Sequence, residues 1–174
     1  RALTYRNYRL FFGGQGLSLI GTWMQQIAMS WLVYRMTNSV FLLGLIGFSG
    51  QIPTVIFGSF AGVYADRLNR RNLLIVTQTF AMLQAFLLAF LTLTGSVAVW
   101  HLIVLSIILG TVNAVDVPAR QSFVVDMVEN KNDLGNAIAL NSFMFNGARL
   151  VGPSIAGILI AYVGEGVCFL LNGI

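Results

Sequence analysis

Arg149 is the side chain with the most chemistry to offer. It is the one charge in the run from Leu134 to Val163. In a helix that starts at Leu134 it lies about 22 Å from that end. An arginine so deep in a bilayer costs at least about 2.5–3.5 kcal/mol to insert and faces a partner or a wet cavity. It reads as an anchor for an anionic or carbonyl-rich ligand, as a charge whose partner changes between states, or as a fixed pair with Asp116 or with carbonyls exposed near Pro153. Asp116 could carry a coupling proton. The favoured reading is a salt bridge in an inner gate, with Arg120 or with the arginines between residues 67 and 71. Gln15, Ser18, Thr22, Gln25 and Gln26 recur near helical spacing and form a polar stripe. Gln25 and Gln26, with Asn113 and Asn141, are candidates either for a cavity wall or for hydrogen bonds between helices. Ser49, within Gly47-Phe48-Ser49-Gly50, is a conceivable nucleophile with His101 as base. A dyad needs about 2.6–3.2 Å between them, whereas Ser49 falls about 13 Å into its helix and His101 at the rim of another. An intramembrane serine protease is therefore a remote alternative. With one cysteine and one histidine, no internal disulfide and no zinc site of the usual ligands is expected. No metal and no cofactor is implied. Asp126, Glu129, Lys131 and Asp133 read as a solvated loop.

The elements that position these residues follow from composition. Hydrophobic residues make up 57% of the 174 and charged residues 9%, against about 45–50% and 25% in soluble domains. The mean hydropathy is +0.80. Uncharged runs cover Leu10–Tyr34, Met36–Ala65 and Asn72–Val115. A membrane helix needs about 20 apolar residues. A soluble enzyme, a disordered tail and a nucleic-acid-binding domain are excluded, and the net charge of +4 belongs to loops. The third run would be about 66 Å long as one helix, so it must fold back, and Thr94-Gly95-Ser96 supplies the turn. The expected architecture is an all-α integral membrane bundle of five complete spans: Leu10–Tyr34, Val40–Ala65, Asn72–Leu93, Val97 to an end near Pro118, and Leu134–Val163. A sixth starts at Gly166, and the chain reads as cut inside it. Residues 1–94 and 95–174 then form two three-helix sets, as in inverted 3+3 repeats. One side of the membrane holds Arg1, Arg6, Arg9, Arg67, Arg70, Arg71, Arg120 and Lys131, and the other only Arg35. This bias puts the N-terminus in the cytoplasm.

Between the second and third spans lies Gly62-Val63-Tyr64-Ala65-Asp66-Arg67-Leu68-Asn69-Arg70-Arg71. Gly58 and Gly62 form a small-xxx-small pair for close helix approach. Asn69 can take the left-handed conformation a tight turn needs. Ion pairs in such a loop can latch helices in one state and release them in another. The segment resembles the loop between helices two and three of the major facilitator superfamily, with Asn69 where that family usually has glycine. Gly152-Pro153, followed by Gly157, is similar to the helix-five signature of the family's antiporters, with Ala156 in place of a glycine. Arg6-Asn7-Tyr8-Arg9 and Asn113-Ala114-Val115-Asp116-Val117-Pro118-Ala119-Arg120-Gln121 resemble the enterobactin-exporter branch, the transmembrane secretion effectors. Ser106 stands near where many members carry an arginine in helix four.

The resemblance implies an N-terminal half of a transporter in a bacterial inner membrane, with the C-terminal half outside this chain. The half would export a small amphiphile, siderophore or drug-like, in exchange for protons by alternating access. Gly62, Asp66, Arg67, Arg70 and Arg71 would form the conformational gate, with Asp116 and Arg120 as inner partners. Gln25, Gln26, Asn113, Asn141 and Arg149 would face the cargo. Expected partners are that small molecule, the proton and membrane lipid, with no nucleic acid. The main alternative is a channel or pore-forming helix bundle.

Overall fold

The computed structural model describes residues 2–128 and 133–174, excepting the side chains at 2, 59 and 61–67. After a short 3-10 turn, Ala2–Thr4, six α-helices follow: α1 Arg6–Thr37, α2 Val40–Arg67, α3 Arg70–Leu93, α4 Val99–Asp126, α5 Leu134–Val163 and α6 Glu165–Asn172. No strand occurs among the described residues.

The local chemistry of the turns sets these limits. Asn38 ends α1 in the left-handed conformation, at φ 48°. The Ser39 hydroxyl then accepts from the Leu42 N–H at 3.3 Å and opens α2, a side-chain N-cap. Gly95 turns the chain between α3 and α4 at φ 70°, and Gly164 separates α5 from α6 at φ 85°. Both angles suit glycine, which has no Cβ to clash. Asn69 differs from expectation. It is extended, at φ −65° and ψ 107°, and its side chain accepts from the Asn72 N–H. The turn between α2 and α3 uses Asn69 as a helix cap, which satisfies one of the donors left open at a helix start.

α4 also departs from expectation. It does not stop near Pro118 but runs on to Asp126. A proline inside a helix removes a single hydrogen bond, here to the Ala114 carbonyl, and bends the helix without ending it. At 28 residues, α4 is about 42 Å long, so its last turns reach the start of α3.

Four helices are long and apolar enough to cross a membrane among the described residues: Val40–Gly58 of α2, and α3, α4 and α5. α1 is longer, at 32 residues, but carries the polar stripe. The helices pack in a defined pattern: α1 against α5 and α6, α4 against α2 and α3, and α3 against α6. At one end Leu32, Val33, Leu88, Leu102, Cys168 and Phe169 form a fully buried core. At the other, Tyr8, Val124 and Ala137 are buried together, and the Tyr8 hydroxyl donates to the Ala137 carbonyl at 3.0 Å. Phe41, Val55, Phe90, Phe143 and Leu150 point outward. So much exposed apolar surface marks a lipid-facing or partner-facing exterior.

Glycines set two of the closest helix crossings. A Cβ on Gly110 of α4 would meet the backbone of Gly50 and, at 3.2 Å, the Pro53 ring of α2. A Cβ on Gly152 of α5 would meet Trp23 Cβ at 2.7 Å and the Ile20 carbonyl oxygen at 2.8 Å. By contrast, nothing lies within 4 Å of a Cβ at Gly44, Gly47, Gly58 or Gly157. Among the described glycines of α2 only Gly50 comes close to a neighbouring helix, and the first glycine of the Gly58/Gly62 pair, expected to allow close approach, meets none.

Candidate functional site

Two cavities open between the helices. The smaller, about 160 Å³, lies among α1, α2 and α4 and is lined by Thr22, Gln25, Gln26, Gln51, Ser106 and Asn113 with apolar neighbours. The larger, about 1200 Å³, shares Gln26, Gln51 and Asn113 and extends past Trp23, Gln78, Arg120 and Phe145 to Asn172. Gln25, Gln26 and Asn113 therefore line one cavity together. Asn141 and Arg149 line neither cavity. Asn141 is half-buried on α5. Gln51 is a lining residue that sequence reasoning passed over, although an amide within an uncharged 30-residue run was visible.

The polar stripe of α1 divides. Gln25 donates to Gln84 Oε1 at 2.9 Å and accepts from Asn172 Nδ2 at 2.8 Å, tying α1 to α3 and α6. Gln84 in turn donates to the Leu105 carbonyl of α4 at 3.4 Å. Ser18 donates to Gln78 Oε1 of α3 at 3.3 Å, and Thr22 back to the Ser18 carbonyl. Gln26 is exposed, and no hydrogen bond of its amide occurs among the described residues. Helical spacing identifies the stripe but not which members are spent on neighbouring helices.

Asp116 is the hub of the second network. It is 1% exposed, accepts from Thr77 Oγ1 at 2.7 Å and from Gln78 Nε2 at 2.9 Å, and pairs with Arg120 one turn along α4. Because α4 continues past Pro118, Asp116 lies well inside the bundle rather than at a helix end. Its further partners come from α3 and, among the described side chains, not from the arginines of the loop between α2 and α3. Arg70 of that loop takes Asp126 instead, at 2.5 Å, and reaches the Ser122 carbonyl at 3.4 Å. Arg71 is exposed and makes no ion pair among the described residues. Gly62, Asp66 and Arg67 fall in the last turns of α2, but their side chains lie outside the described residues.

The expected solvated loop is correspondingly smaller. Asp126 is the last residue of α4 and is held by Arg70, while Asp133 accepts from the Tyr5 hydroxyl at 3.2 Å. Glu129 and Lys131 lie outside the described residues. The Arg70–Asp126 pair is solvent-accessible, and such pairs contribute about 0.2–1 kcal/mol. Asp126→Asn is accordingly expected to lower stability by less than about 1 kcal/mol, as read from thermal unfolding in detergent. A larger loss would mean that the pair is shielded by a neighbour.

Arg149 is exposed on α5, and its guanidinium carbon stands 5.5 Å from the centre of the Trp23 ring. Phe145 packs edge-on to Trp23 at 5.7 Å. No pair with Asp116 forms. At the opposite end of the bundle from Arg70, Arg35 of α1 bridges to the buried Glu165 of α6 at 2.9 Å. The protease alternative gains nothing. Ser49 donates to the Leu45 carbonyl of its own helix at 2.7 Å, and His101 Nδ1 accepts the Ala98 N–H at 3.0 Å, capping α4.

A bundle of long apolar helices with an amide-lined cavity between them has the form of a multi-pass membrane protein. The sequence profile of the transmembrane secretion effectors matches residues 2–174, and the chain belongs to this family of the major facilitator superfamily. Similar proteins include the staphyloferrin A transporter of Staphylococcus aureus, 28% identical over 95% of this chain and 42% of the relative. The macrolide efflux protein A of Streptococcus pyogenes is 23% identical over 89% and 39%, and the multidrug efflux pump Tap of Mycolicibacterium fortuitum 25% over 79% and 35%. The chain thus spans about two-fifths of the length of these relatives, which are transporters rather than enzymes. No solved structure matches it significantly.

Proposed function

We propose that the chain forms the N-terminal half of a proton-coupled exporter of small amphiphiles, with the amide-lined cavity as its share of the substrate path. The observation that carries this reading is Gln26, Gln51 and Asn113 facing one cavity from three helices of an otherwise apolar bundle. Uncharged amides there bind neutral and amphiphilic solutes through hydrogen bonds while the apolar lining holds their carbon skeleton. The relatives named for staphyloferrin A, macrolides and multiple drugs support the class of cargo. The helix pairing supports a 3+3 repeat, residues 1–94 and 95–174. Exchanging α1, α2, α3 for α4, α5, α6 turns the α1–α5 contact into α4–α2 and the α1–α6 contact into α4–α3, while α3–α6 maps onto itself. In this reading α1 to α5 are the five complete spans.

The segment from Gly62 to Arg71, where α2 turns into α3, acts as the gate, with Arg70–Asp126 as its described ion pair, and Asp116–Arg120 stiffens the adjoining end of α4. The arginine bias supports a cytoplasmic side for this end and for the N-terminus, in a bacterial inner membrane on this reading.

Reconstitution tests the reading. In liposomes carrying only this chain, a proton gradient is expected to drive no ethidium flux, since one half supplies only part of the cavity wall. Robust flux would show that these helices suffice, and ohmic single-channel currents would replace the transporter by a pore. Orientation is read in a Cys168→Ser background. Thr94→Cys should react with an impermeant maleimide in intact spheroplasts, and Asn7→Cys only after lysis.

A further inference from the structure

The transport reading leaves the charge of the cargo open, and Arg149 bears on it. This side chain is near mid-helix, 15 residues from Leu134 and 14 from Val163, so it lies about 22 Å from either end of α5. Trp23 is equally central in α1. The two meet because Gly152 lets α1 and α5 approach at Ile20, Trp23 and Met24.

A carboxylate of the chain itself does not neutralise this charge among the described residues. Asp116 is held by Arg120, Asp126 by Arg70 and Glu165 by Arg35, and Asp133 accepts from Tyr5. Of the chain's other two acids, Asp66 is one residue from the end of α2 and Glu129 falls between α4 and α5 in sequence. Nor, among the described residues, is there an acid on the wall of the larger cavity that Trp23 and Phe145 line, where Arg120 is the only charged one. A fixed cation at mid-depth beside such a wall favours an anion there.

The geometry also says which kind of anion. The guanidinium carbon stands over the Trp23 ring at 5.5 Å, within cation–π range. The N–H edge of the guanidinium remains for the bidentate bonds that suit a carboxylate. Trp23 and Phe145 meet edge to face and offer apolar surface to the carbon skeleton attached to it.

Resting on the transport reading, we propose that Arg149, Trp23 and Phe145 form a subsite for the carboxylate end of an amphiphilic organic acid. The cargo is then anionic at this point, and the amides of the neighbouring cavity bind its uncharged remainder.

The test uses the chain in phosphatidylcholine nanodiscs, with Trp31→Phe and Trp100→Phe so that Trp23 alone reports. Both replaced indoles are exposed. 4-Phenylbutyrate is expected to change Trp23 emission saturably. Arg149→Gln should weaken this binding roughly tenfold or more, as expected from a lost charge-assisted hydrogen bond of about 1.5–3 kcal/mol. Arg149→Lys should weaken it less. 4-Phenylbutanol, which lacks the charge, should act alike on parent and Arg149→Gln. Protection of Cys168 from maleimide confirms that each variant is folded. The subsite is overturned if folded Arg149→Gln binds the acid as the parent does, or if the folded parent shows no saturable response. It is also overturned if phosphatidylglycerol alone reproduces the change and blocks the acid, which would make a lipid headgroup the occupant. If the acid fails while the alcohol binds and the maleimide topology holds, only the anionic cargo is lost and the exporter reading stands.

Discussion

Gly110→Ala is expected to lower the thermal midpoint of the detergent-solubilised chain by several degrees. The readout is built in, because Cys168 is the sole cysteine and is fully buried, so a maleimide dye reports its exposure on unfolding. The added methyl would meet the Gly50 carbonyl group and the Pro53 Cδ, the latter at 3.2 Å. These are backbone and ring atoms that cannot swing aside as a flexible side chain would. Relief requires α2 and α4 to part. That would break the hydrogen bond from Thr54 Oγ1 to the Gly110 carbonyl and distort the smaller cavity, which both glycines line. Overpacking of this kind costs about 1–3 kcal/mol, or about 2–12 °C at the 2–4 °C per kcal/mol expected for a chain of this size. Gly152→Ala should act similarly at the α1–α5 crossing. Gly47→Ala and Gly157→Ala, with nothing within 4 Å of the new carbon, are the controls. They should melt with the parent or slightly above it, since alanine is the better helix former. If Gly110→Ala melts with them, α2 and α4 do not approach as closely as described.

These two glycines also show where reading from sequence stops. The helices themselves were legible because a bilayer forbids charge over about 20 residues. The uncharged runs and the turn at Gly95 place α2 and α3 within a few residues of where they lie, and the apolar run broken only by Arg149 does the same for α5. The end of α4 was not legible. Proline is a stop signal in an isolated helix, whereas here α3 and the Arg70–Asp126 pair support two further turns of α4. The glycines of α2 look alike in sequence, yet only a neighbour's position shows that Gly50 meets another helix while Gly44, Gly47 and Gly58 do not.

The same limit applies to polar groups. Counting residues along α5 is enough to put Arg149 at mid-depth, but its contact with Trp23 depends on the crossing at Gly152. Gln25 carries the right side chain for a cavity wall and does line one, yet its amide is spent on Gln84 and Asn172. Those partners, like Thr77 and Gln78 beside Asp116, lie on α3 and α6 and have no sequence proximity to reveal them. What the sequence does show is that an amide inside an apolar span must find a partner or water. The structure decides which.

Asp116 tests that rule most severely. Asp116→Leu is expected to be the most damaging single substitution in the bundle, costing about 3–5 kcal/mol, the usual effect of stranding one member of a buried pair. It would leave Arg120 without its carboxylate and remove the acceptor of Thr77 Oγ1 and Gln78 Nε2. Asp116→Asn should cost less. Its carbonyl oxygen still accepts from Thr77 and Gln78, and only the ion pair is lost. The informative variant is Asp116→Leu with Arg120→Met, which removes both charges and refills their volume with apolar atoms. Replacing a buried pair in this way is often neutral or stabilising, so the double variant should recover much of what the first substitution lost, with Thr77 and Gln78 left to account for the remainder. Thermal unfolding of the parent, the two single variants and the double variant closes the cycle. Additive losses would mean that the two side chains stabilise the bundle independently, and the hub would not exist. Recovery of stability would show a coupling energy between them, as the contact along α4 requires. It would also give a folded chain in which the proposed part of the pair in gating can be tested apart from its role in holding α3 to α4.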